Sequence, residues 1–342
     1  MDEGPTSAPA SDGAGGAPTF RLRSVPWVAV EVFAVVSFGL SWLVAIPLWR
    51  IGAEDPAFPV LLGLVASVMM TTPAIGAVVA LFVARIPRGE RLRLLGMWPL
   101  RPARRVVWWT VCATVAPLLV VALAIGIAAL FGWTRLDLVG FSGFRATIDA
   151  QLGALDGSTA ELARATMPPI GALVALQIAA VPLGALVNSV LAFGEELGWR
   201  GWLLPALRPL GTWPALLVSG AVWGLWHSPL ILLGYNFGLT DWRGVALMTA
   251  GCVAWGVLLG WARLRTGSVW PAVVGHGALN ASGGLIVVVA AAGAPLDPAL
   301  VLPLGASGWI AIAAVVVILV LCGQFRVDRQ RELAPRRVPA RP

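Results

Sequence analysis

Six polar residues in the second half of the chain have the types and the spacing of a hydrolytic site. They comprise two adjacent carboxylates, an arginine, both histidines of the sequence and an asparagine: Glu195, Glu196, Arg200, His227, His276 and Asn280. All of them lie within or beside long apolar stretches. A charge at the centre of a bilayer costs about 2.5–3.5 kcal/mol or more, so ionisable groups in such stretches are candidates for function.

Helical spacing assigns the two carboxylates to different tasks. Glu196 and Arg200 are four residues apart and share a helical face, which predicts a buried ion pair that supports the end of the helix. Glu195 is rotated by about 100° from Glu196 and is therefore free to face a cavity. A carboxylate there suits a general base that acts on water. Asn188, seven residues earlier, is predicted to line the same cavity.

The histidines and the asparagine supply the other groups that peptide hydrolysis needs. Glu195 with His227 can activate a water molecule. His276 and Asn280, four residues apart on one face, can donate hydrogen bonds to the oxyanion of a tetrahedral intermediate. Taken alone, His227 fits a hydrogen bond to a neighbouring helix, and His276 with Asn280 fits a polar clasp between helices. Their concentration in one half of the chain favours a shared site.

A metal site would use the same atoms. Two histidines and a glutamate are a known zinc ligand set. The sequence contains no HExxH, which excludes a zincin-type site. The cofactor therefore stays open between zinc and none.

Membrane helices must hold these residues in place. Hydrophobic residues make up 58% of the chain and charged residues 12%, with a mean hydropathy of +0.84. Such a composition is too apolar for a soluble globular protein and predicts several membrane spans. The net charge of +7 comes from 24 basic residues, all arginines, in loops and tails. Topology explains them better than nucleic acid does, so no nucleic-acid partner is expected. The absence of lysine is typical of GC-rich bacterial genomes.

The apolar stretches predict an all-α polytopic membrane protein of about eight transmembrane helices, with the active site inside the bundle. The predicted spans are residues 27–49, 59–83, 106–131, 168–193, 212–233, 245–262, 269–292 and 300–322. The segment 132–167 is expected outside, with a short amphipathic helix. Counting residues places His227 about 22 Å into its span, deeper than the carboxylates. Residues 201–210 are therefore predicted to dip back into the membrane as a buried break between helices.

Charge and composition also predict the topology and the domains. Seven arginines between residues 85 and 105 place that loop in the cytoplasm. Eight spans then put both termini on the cytoplasmic side of a multi-pass cell-membrane protein. Residues 1–20 are predicted to be a disordered cytoplasmic tail. Residues 21–325 form the transmembrane domain, with a catalytic core at 168–290, and residues 326–342 form a basic cytoplasmic tail.

Three motifs in this core resemble those of the CAAX proteases and bacteriocin-processing enzymes, the Abi or Ras-converting-endoprotease-like family. The family motif EExxxR is matched by Glu195, Glu196 and Arg200, FxxxH by Trp223 and His227 with Trp in place of Phe, and HxxxN by His276 and Asn280. The order and the separation of the motifs agree as well. The resemblance covers about residues 168–290.

The resemblance implies an intramembrane endopeptidase that hydrolyses a peptide bond near the cytoplasmic membrane face. In that family the first-motif glutamate and the second-motif histidine are thought to activate water, which assigns this role to Glu195 and His227. The third-motif residues, His276 and Asn280, would form the oxyanion hole, with Glu196 and Arg200 in support. The family has been described both as metalloprotease and as metal-free glutamate protease. The implied partners are a peptide or membrane-protein substrate and the lipid bilayer.

Two other functions compete with the protease. A non-catalytic family member would act as a membrane scaffold or a bacteriocin-immunity factor, with the motif residues only holding helices together. A proton-coupled transporter would use Glu195 and the histidines as a proton relay. Many transporters have internally symmetric halves, whereas the polar residues here lie in one half of the chain.

Overall fold

The computed structural model describes residues 22, 24–331 and 333. The α-helices are α1 (Trp27–Ile51), α2 (Phe58–Met69), α3 (Thr72–Val83), α4 (Arg88–Leu94), α5 (Ala103–Leu130), α6 (Ser142–Gly153), α7 (Gly157–Thr166), α8 (Ile170–Glu196), α9 (Leu204–Leu207), α10 (Thr212–Trp226), α11 (Ser228–Ile231), α12 (Trp242–Thr266), α13 (Trp270–Ser282), α14 (Leu285–Val289), α15 (Pro298–Val301) and α16 (Ala306–Leu321). A π-helix, Leu197–Leu203, joins α8 to α9, and 3₁₀ turns lie at Arg208–Leu210 and Val327–Arg329. The predicted tail 1–20 lies outside the described residues, as does most of 326–342.

The predicted fold class is confirmed: the protein is an all-α polytopic membrane protein. Within the described residues, seven helical segments are long and apolar enough to cross a membrane: Trp27–Ile51, Phe58–Val83, Ala103–Leu130, Ile170–Leu210, Trp242–Thr266, Trp270–Val289 and Pro298–Leu321. Their outer faces carry large exposed apolar side chains, such as Leu183, Val187 and Val190 on α8. Helices that are apolar on both their packed and their exposed faces are suited to a lipid environment.

The remaining predicted span, residues 212–233, is interrupted in the structure. Helix α10 has 15 residues and ends at Trp226, His227 follows, and α11 adds only four residues. Pro229 lies in the first turn of α11. A proline disfavours helical geometry in the residue before it and cannot donate a backbone hydrogen bond, which accounts for the interruption. His227 therefore lies at the end of a helix rather than within one.

The predicted break at residues 201–210 is wrong in form, although these residues are mostly buried as expected. The chain stays helical from Ile170 to Leu210, through the π-helix, α9 and a 3₁₀ turn. Pro205 lies in the first turn of α9, directly after the π-helix. Local composition suggested a loop because glycine and proline are frequent there, but the altered helical winding accommodates them.

The continuous helix removes the difference in depth between the carboxylates and His227. Glu195 lies 15 residues before Leu210, and His227 lies 15 residues after Thr212. Both counts start from the same turn at residues 208–212. At 1.5 Å per residue each side chain is about 22 Å along its helix from that turn. The carboxylates are carried into the bundle by α8 itself, and no re-entrant loop is needed.

Close packing of α8, α13 and α5, and of α10 and α12, forms the core around the motif residues. Gly277 on α13 contacts the backbone of α8 so closely that an added Cβ would collide with the carbonyl oxygen of Ala185. Only glycine permits this approach. The crossing brings His276, the neighbour of Gly277, against the end of α8.

One end of the bundle carries most of the arginines that the structure describes, and we call it the arginine-rich end. It consists of the connections at residues 84–102, 208–212 and 263–269 and of residues 322–331. Hydrogen bonds tie these segments together. Ser268 Oγ donates to Gly96 O at 3.1 Å, and the backbone N–H of Arg331 donates to Leu264 O at 2.7 Å. The opposite end of the bundle contains the connections at residues 52–57, 131–169, 232–241 and 290–305.

A buried arginine joins three segments just inside the arginine-rich end. Arg263 on α12 is fully buried. Its Nε donates to the carbonyl oxygen of Arg200 at 3.0 Å, and its Nη2 donates to that of Leu94 at 2.7 Å. The guanidinium thus satisfies carbonyls at the π-helix and at the end of α4. This contact fixes the backbone that presents Arg200.

Candidate active site

The end of α8 delivers both motif carboxylates to the interior. Glu196 is 0% exposed and Glu195 2% exposed, and the π-helix that follows carries Arg200, also 2% exposed. π-Helical turns are rare and are frequently found at functional sites. Trp223 and His227 come from the end of α10, and His276 comes from the middle of α13.

Glu196 is the centre of a buried polar network. Its Oε1 accepts a hydrogen bond from Arg200 Nη1 at 2.6 Å and lies 3.0 Å from His276 Nδ1. The ion pair with Arg200 has the geometry that the four-residue spacing predicted. The contact with His276 was not predicted, because it joins residues 80 positions apart. Removing one partner of a buried pair leaves an uncompensated charge, so this network holds α8, the π-helix and α13 in register.

Glu195 has a different partner. Its Oε2 accepts a hydrogen bond from the indole Nε1–H of Trp223 at 2.6 Å. The Trp223 ring also lies 4.3 Å from Arg200 Cζ and packs edge-on against the imidazole of His276, with ring centroids 5.2 Å apart. The Trp223 side chain therefore touches Glu195, Arg200 and His276. Sequence analysis noted it only as an aromatic replacement; the available signal was that tryptophan, unlike phenylalanine, has an N–H to donate.

Hydrogen-bond partners determine which nitrogen of each histidine is available. His227 Nδ1 lies 2.9 Å from the carbonyl oxygen of Trp223, which can only accept. His276 Nδ1 faces the Glu196 carboxylate. Both Nδ1 atoms are therefore assigned a hydrogen, which leaves both Nε2 atoms for substrate or water. Cys252 Sγ lies 4.0 Å from His227 Nδ1 and is fully buried, so it packs behind the imidazole.

A cavity of about 460 Å³ brings most of the predicted residues together. It is lined by Glu195, His227, His276, Asn280 and, as predicted, Asn188. Glu196 and Arg200 lie behind this lining. The division between a carboxylate that faces the cavity and a carboxylate that supports the helix end therefore has a geometric basis. Asn280 is exposed at the cavity, whereas His276 is 4% exposed.

Two further lining residues come from the connection between α11 and α12 and were missed by sequence analysis. Tyr235 and Asn236 both face the cavity. Burial, and secondly the Glu195 carboxylate nearby, raise the pKa of Tyr235 above its ordinary value. The phenol therefore stays protonated at neutral pH and can donate a hydrogen bond. No motif covers this connection, and only its folding over the cavity reveals its position.

The donor set does not match a preformed three-ligand metal site. Between residues 24 and 331, no group of three His, Cys, Asp or Glu side chains is arranged to hold a metal ion. Glu195 is hydrogen-bonded to an indole, and Glu196 is shared between Arg200 and His276. Both carboxylates are therefore already engaged by protein donors.

Comparison with known proteins gives a family match that lies within the predicted core, and a curated relative. Residues 177–282 match the model of the family described as type II CAAX prenyl endopeptidase Rce1-like. A curated relative, CAAX prenyl protease 2 of Methanococcus maripaludis, is 28% identical over 101 residues. That alignment covers 28% of this chain and 37% of the relative, so the chain matches little more than a third of the relative's length. The family match includes the part of the chain that carries the polar network.

Proposed function

Because residues 177–282 form an Rce1-like type II CAAX prenyl endopeptidase family domain, we propose that this protein is an intramembrane endopeptidase that hydrolyses peptide bonds with an activated water. The observation that supports this most directly is the grouping of Glu195, His227, His276 and Asn280 around one cavity inside the helix bundle. A polypeptide or membrane-protein substrate follows from the proposed reaction. The membrane location follows from the seven candidate spans.

Glu195 is the proposed general base. Its carboxylate accepts a proton from water, and the water oxygen attacks the carbonyl carbon of the substrate peptide bond. As the new C–O bond forms, the electron pair of the carbonyl bond moves to its oxygen. His227 Nε2 holds the water in position by accepting its second hydrogen. The proton held by Glu195 then passes to the leaving amine as the C–N bond breaks.

His276 and Asn280 are the proposed donors to the oxyanion. The Asn280 amide donates directly, and His276 donates through Nε2 when its imidazole is protonated. Glu196, in contact with His276 Nδ1, balances that positive charge. Removing one donor from an oxyanion hole typically lowers kcat by about 10²–10³-fold. Glu196 and Arg200 are positioning residues in this mechanism, since neither lines the cavity.

The topology proposed with this function places both termini and the arginine-rich end in the cytoplasm. Short loops rich in arginine are retained on that side of a membrane. The name of the archaeal relative specifies a prenyl protease, and its matched region includes only part of that protein. For this chain we propose a membrane-associated polypeptide as substrate, without assigning a lipid to it.

A comparison of protein N-termini in membranes tests this function. Cells that express the wild-type protein should contain new N-termini that are absent in cells that express Glu195→Ala. Glu31→Ala is the matched control, because Glu31 is an exposed carboxylate on another span, α1. The control should retain every wild-type cleavage product. Both variants must be inserted at wild-type levels, as measured by quantitative immunoblotting.

Identical N-termini in the wild type and in Glu195→Ala would contradict the proposal. That result would favour the scaffold or immunity hypothesis, in which the motif residues only hold helices together. Proton flux into liposomes, dependent on Glu195 and without cleavage, would favour the transporter hypothesis. Metal analysis of the purified protein, with and without a chelator, addresses the cofactor separately from these outcomes.

A further inference from the structure

A second cavity, of about 340 Å³, shares no lining residue with the cavity around the motif residues. It lies between α5, α12, α13 and α16, and its lining consists of tryptophan, aliphatic residues, proline, glycine and one cysteine. Trp108, Cys112 and Ala116 form an exposed rim on α5. Because this rim belongs to a candidate membrane span, the cavity opens toward the surrounding lipid.

The length of this second cavity suits a lipid tail. Along α5 its lining runs from Trp108 to Val120, which is about 18 Å of helix at 1.5 Å per residue. The hydrocarbon core of a bilayer is about 30 Å thick, so that one leaflet contributes about 15 Å. The wall therefore offers an apolar surface comparable in depth to one acyl chain.

Three arginines gather where the second cavity meets the arginine-rich end. Arg105 on α5 lies one helical turn before Trp109, a residue of the cavity wall. Arg265 on α12 lies one turn after Trp261, another wall residue, and its Cζ is 6.0 Å from the centre of the Trp109 ring. Its Nη1 donates to the carbonyl oxygen of Arg329, in the segment after α16, at 2.9 Å. Three of the elements around the cavity, or their extensions, thus each bring one arginine to the same end.

No carboxylate among the described residues forms an ion pair with these three arginines. The positive charges of Arg105 and Arg329 both act on Arg265. The ion pairs at this end of the bundle join other arginines, in Glu90–Arg93 and Asp328–Arg326. Like charges that are held together repel one another unless an anion lies between them. The grouping therefore favours a negatively charged ligand.

Two buried hydrogen-bond donors at the same place lack an acceptor. Arg265 Nε and Trp261 Nε1 are both buried, and neither has a hydrogen-bond partner among the described residues. Guanidinium and indole groups can only donate. Leaving such a donor buried and unpaired is unfavourable. The phosphate and ester oxygens of a phospholipid would supply the acceptors, next to a wall that suits its tails.

From these observations we propose that the second cavity, with Arg105, Arg265 and Arg329 at its end, is a binding site for one anionic phospholipid. The phosphate lies against the guanidinium groups, and one acyl chain lies along α5 between Trp108 and Val120. Arginine suits this ligand because its planar guanidinium can form two parallel hydrogen bonds to phosphate oxygens. Basic groups between membrane helices are a recurring means of binding anionic headgroups. The site is independent of the proposed peptidase activity.

The bound lipid would contact the helix that carries the third motif. Pro271 and Gly275 on α13 belong to the wall of the second cavity, and Gly275 directly precedes His276. A ligand that binds only the folded state raises the stability of that state. We therefore expect the lipid to raise the thermal stability of the bundle without entering the cavity around the motif residues.

Titration of the full-length protein with lipid, after purification in detergent that removes bound lipid, tests this site. Native mass spectrometry measures the binding of phosphatidylglycerol, which is anionic, and of phosphatidylcholine with the same acyl chains, which is zwitterionic. The first phosphatidylglycerol should bind at least 10-fold more tightly than the first phosphatidylcholine, and it should raise the Tm. Sodium oleate and inorganic phosphate, added separately at the same concentration, should not raise the Tm.

Variants with matched controls locate the binding on the protein. Arg105→Gln and Arg265→Gln each remove a guanidinium from the site, and Ala116→Phe fills the cavity where the acyl chain would lie. Each should weaken the binding of the first phosphatidylglycerol at least 5-fold. Arg104→Gln and Ala122→Phe are the controls, because both residues are exposed on α5 and neither lines the cavity. The controls should bind the lipid like the wild type.

Equal affinity of the wild type for the two lipids would overturn the proposal, and so would equal losses of binding in Arg104→Gln and Arg105→Gln. A rise in Tm with oleate or with phosphate as large as the rise with phosphatidylglycerol would assign the site to a free fatty acid or a free anion instead. If Arg265→Gln does not fold, the two pairs of variants on α5 still decide the outcome. Because lipid binding is measured without a substrate, its failure is distinct from a failure of the proposed peptidase activity.

Discussion

The arginine-rich end and the opposite end of the bundle are built in different ways. Near the arginine-rich end, Arg200 and Arg263 are buried and hydrogen-bonded, and the connections are tied to one another. At the opposite end, short helices and turns surround an open cavity, and residues such as Val139 are almost fully exposed. Buried contacts near the arginine-rich end hold the motif side chains, and much of the cavity lining comes from segments nearer the opposite end. A tightly packed region and a cavity can coexist because they lie on opposite sides of the same residues.

Removing the buried ion pair between Glu196 and Arg200 should have the largest effect on stability. Arg200→Ala leaves Glu196 buried without its ion-pair partner, and such losses typically cost about 3–5 kcal/mol. Thermal unfolding in detergent should show a clear decrease in Tm. Arg243→Ala is the matched control, because Arg243 forms an exposed ion pair with Asp241. Exposed pairs are worth about 0–1 kcal/mol, so this variant should unfold close to the wild type. Equal Tm values for both variants would contradict a supporting role for Arg200.

The substitution Trp223→Phe tests the contribution of one hydrogen bond, the bond from Trp223 to Glu195. The variant keeps an aromatic ring but loses the N–H that donates to Glu195. Hydrogen bonds to charged groups contribute about 1.5–3 kcal/mol, so we expect kcat to fall by about 10–100-fold. KM should change little, because the ring remains in the cavity wall. The measurement is steady-state cleavage of a peptide substrate whose cleavage site was identified in membranes.

The control for this substitution is Trp226→Phe, which also removes a buried indole N–H beside the cavity. Trp226 Nε1 donates to Thr72 Oγ1 at 3.2 Å and makes no such contact with Glu195. Its kcat should stay within a few-fold of wild type. If both substitutions lowered kcat equally, the Trp223 bond would have no special role in positioning Glu195.

The smallest effect is expected at the opposite end and depends on pH. Hydrogen bonds from Ser142, and from the backbone N–H of Gly140, lower the pKa of Asp137 below its ordinary value of 3.8. A lowered pKa in the folded state means that the stabilisation is present above the unfolded pKa. It is lost as the pH falls below about 4 toward the folded pKa. The protection factors of the Gly140 and Ser142 amides, which correct the exchange rate for its intrinsic dependence on pH, should therefore fall in acid.

Hydrogen exchange at the Gly140 and Ser142 amides also tests the variant Asp137→Asn. Asp137→Asn should accelerate their exchange already at neutral pH, because the charged acceptor is absent. Asp149→Asn, which removes an exposed carboxylate of the same segment, should leave exchange unchanged. The Tm of the bundle should respond little to either variant, since this turn lies outside the packed helices. Wild-type protection in Asp137→Asn would show that the turn does not depend on the carboxylate.

Local patterns in the sequence were sufficient for some features of the site and insufficient for others. The four-residue spacing predicted the Glu196–Arg200 pair, and the seven-residue spacing placed Asn188 on the cavity. Neither spacing revealed the contact of Glu196 with His276, because it depends on how α13 crosses α8. Tyr235 was missed for the same reason.

The predicted break at residues 201–210 illustrates the limit of local propensity. One glycine and two prolines in this stretch suggested a break, yet the chain continues as a π-helix and α9. At Gly198, in the same π-helix but before this stretch, an added Cβ would collide with Pro73 on α3. The glycine there permits a close contact between helices rather than a turn. Such a contact between distant segments leaves no periodic signal in the local sequence.

The sequence by itself determined that this is a polytopic helical membrane protein with one concentrated set of polar residues, because apolar length and helical spacing are local properties. Only the tertiary structure decided that α8 continues through a π-helix, that Trp223 donates to Glu195, and which segments line the cavity around the motif residues. Each of these depends on contacts between residues far apart in the chain. The free energies of these contacts depend on the burial and the relative positions of the residues. Both are established only when the helices pack.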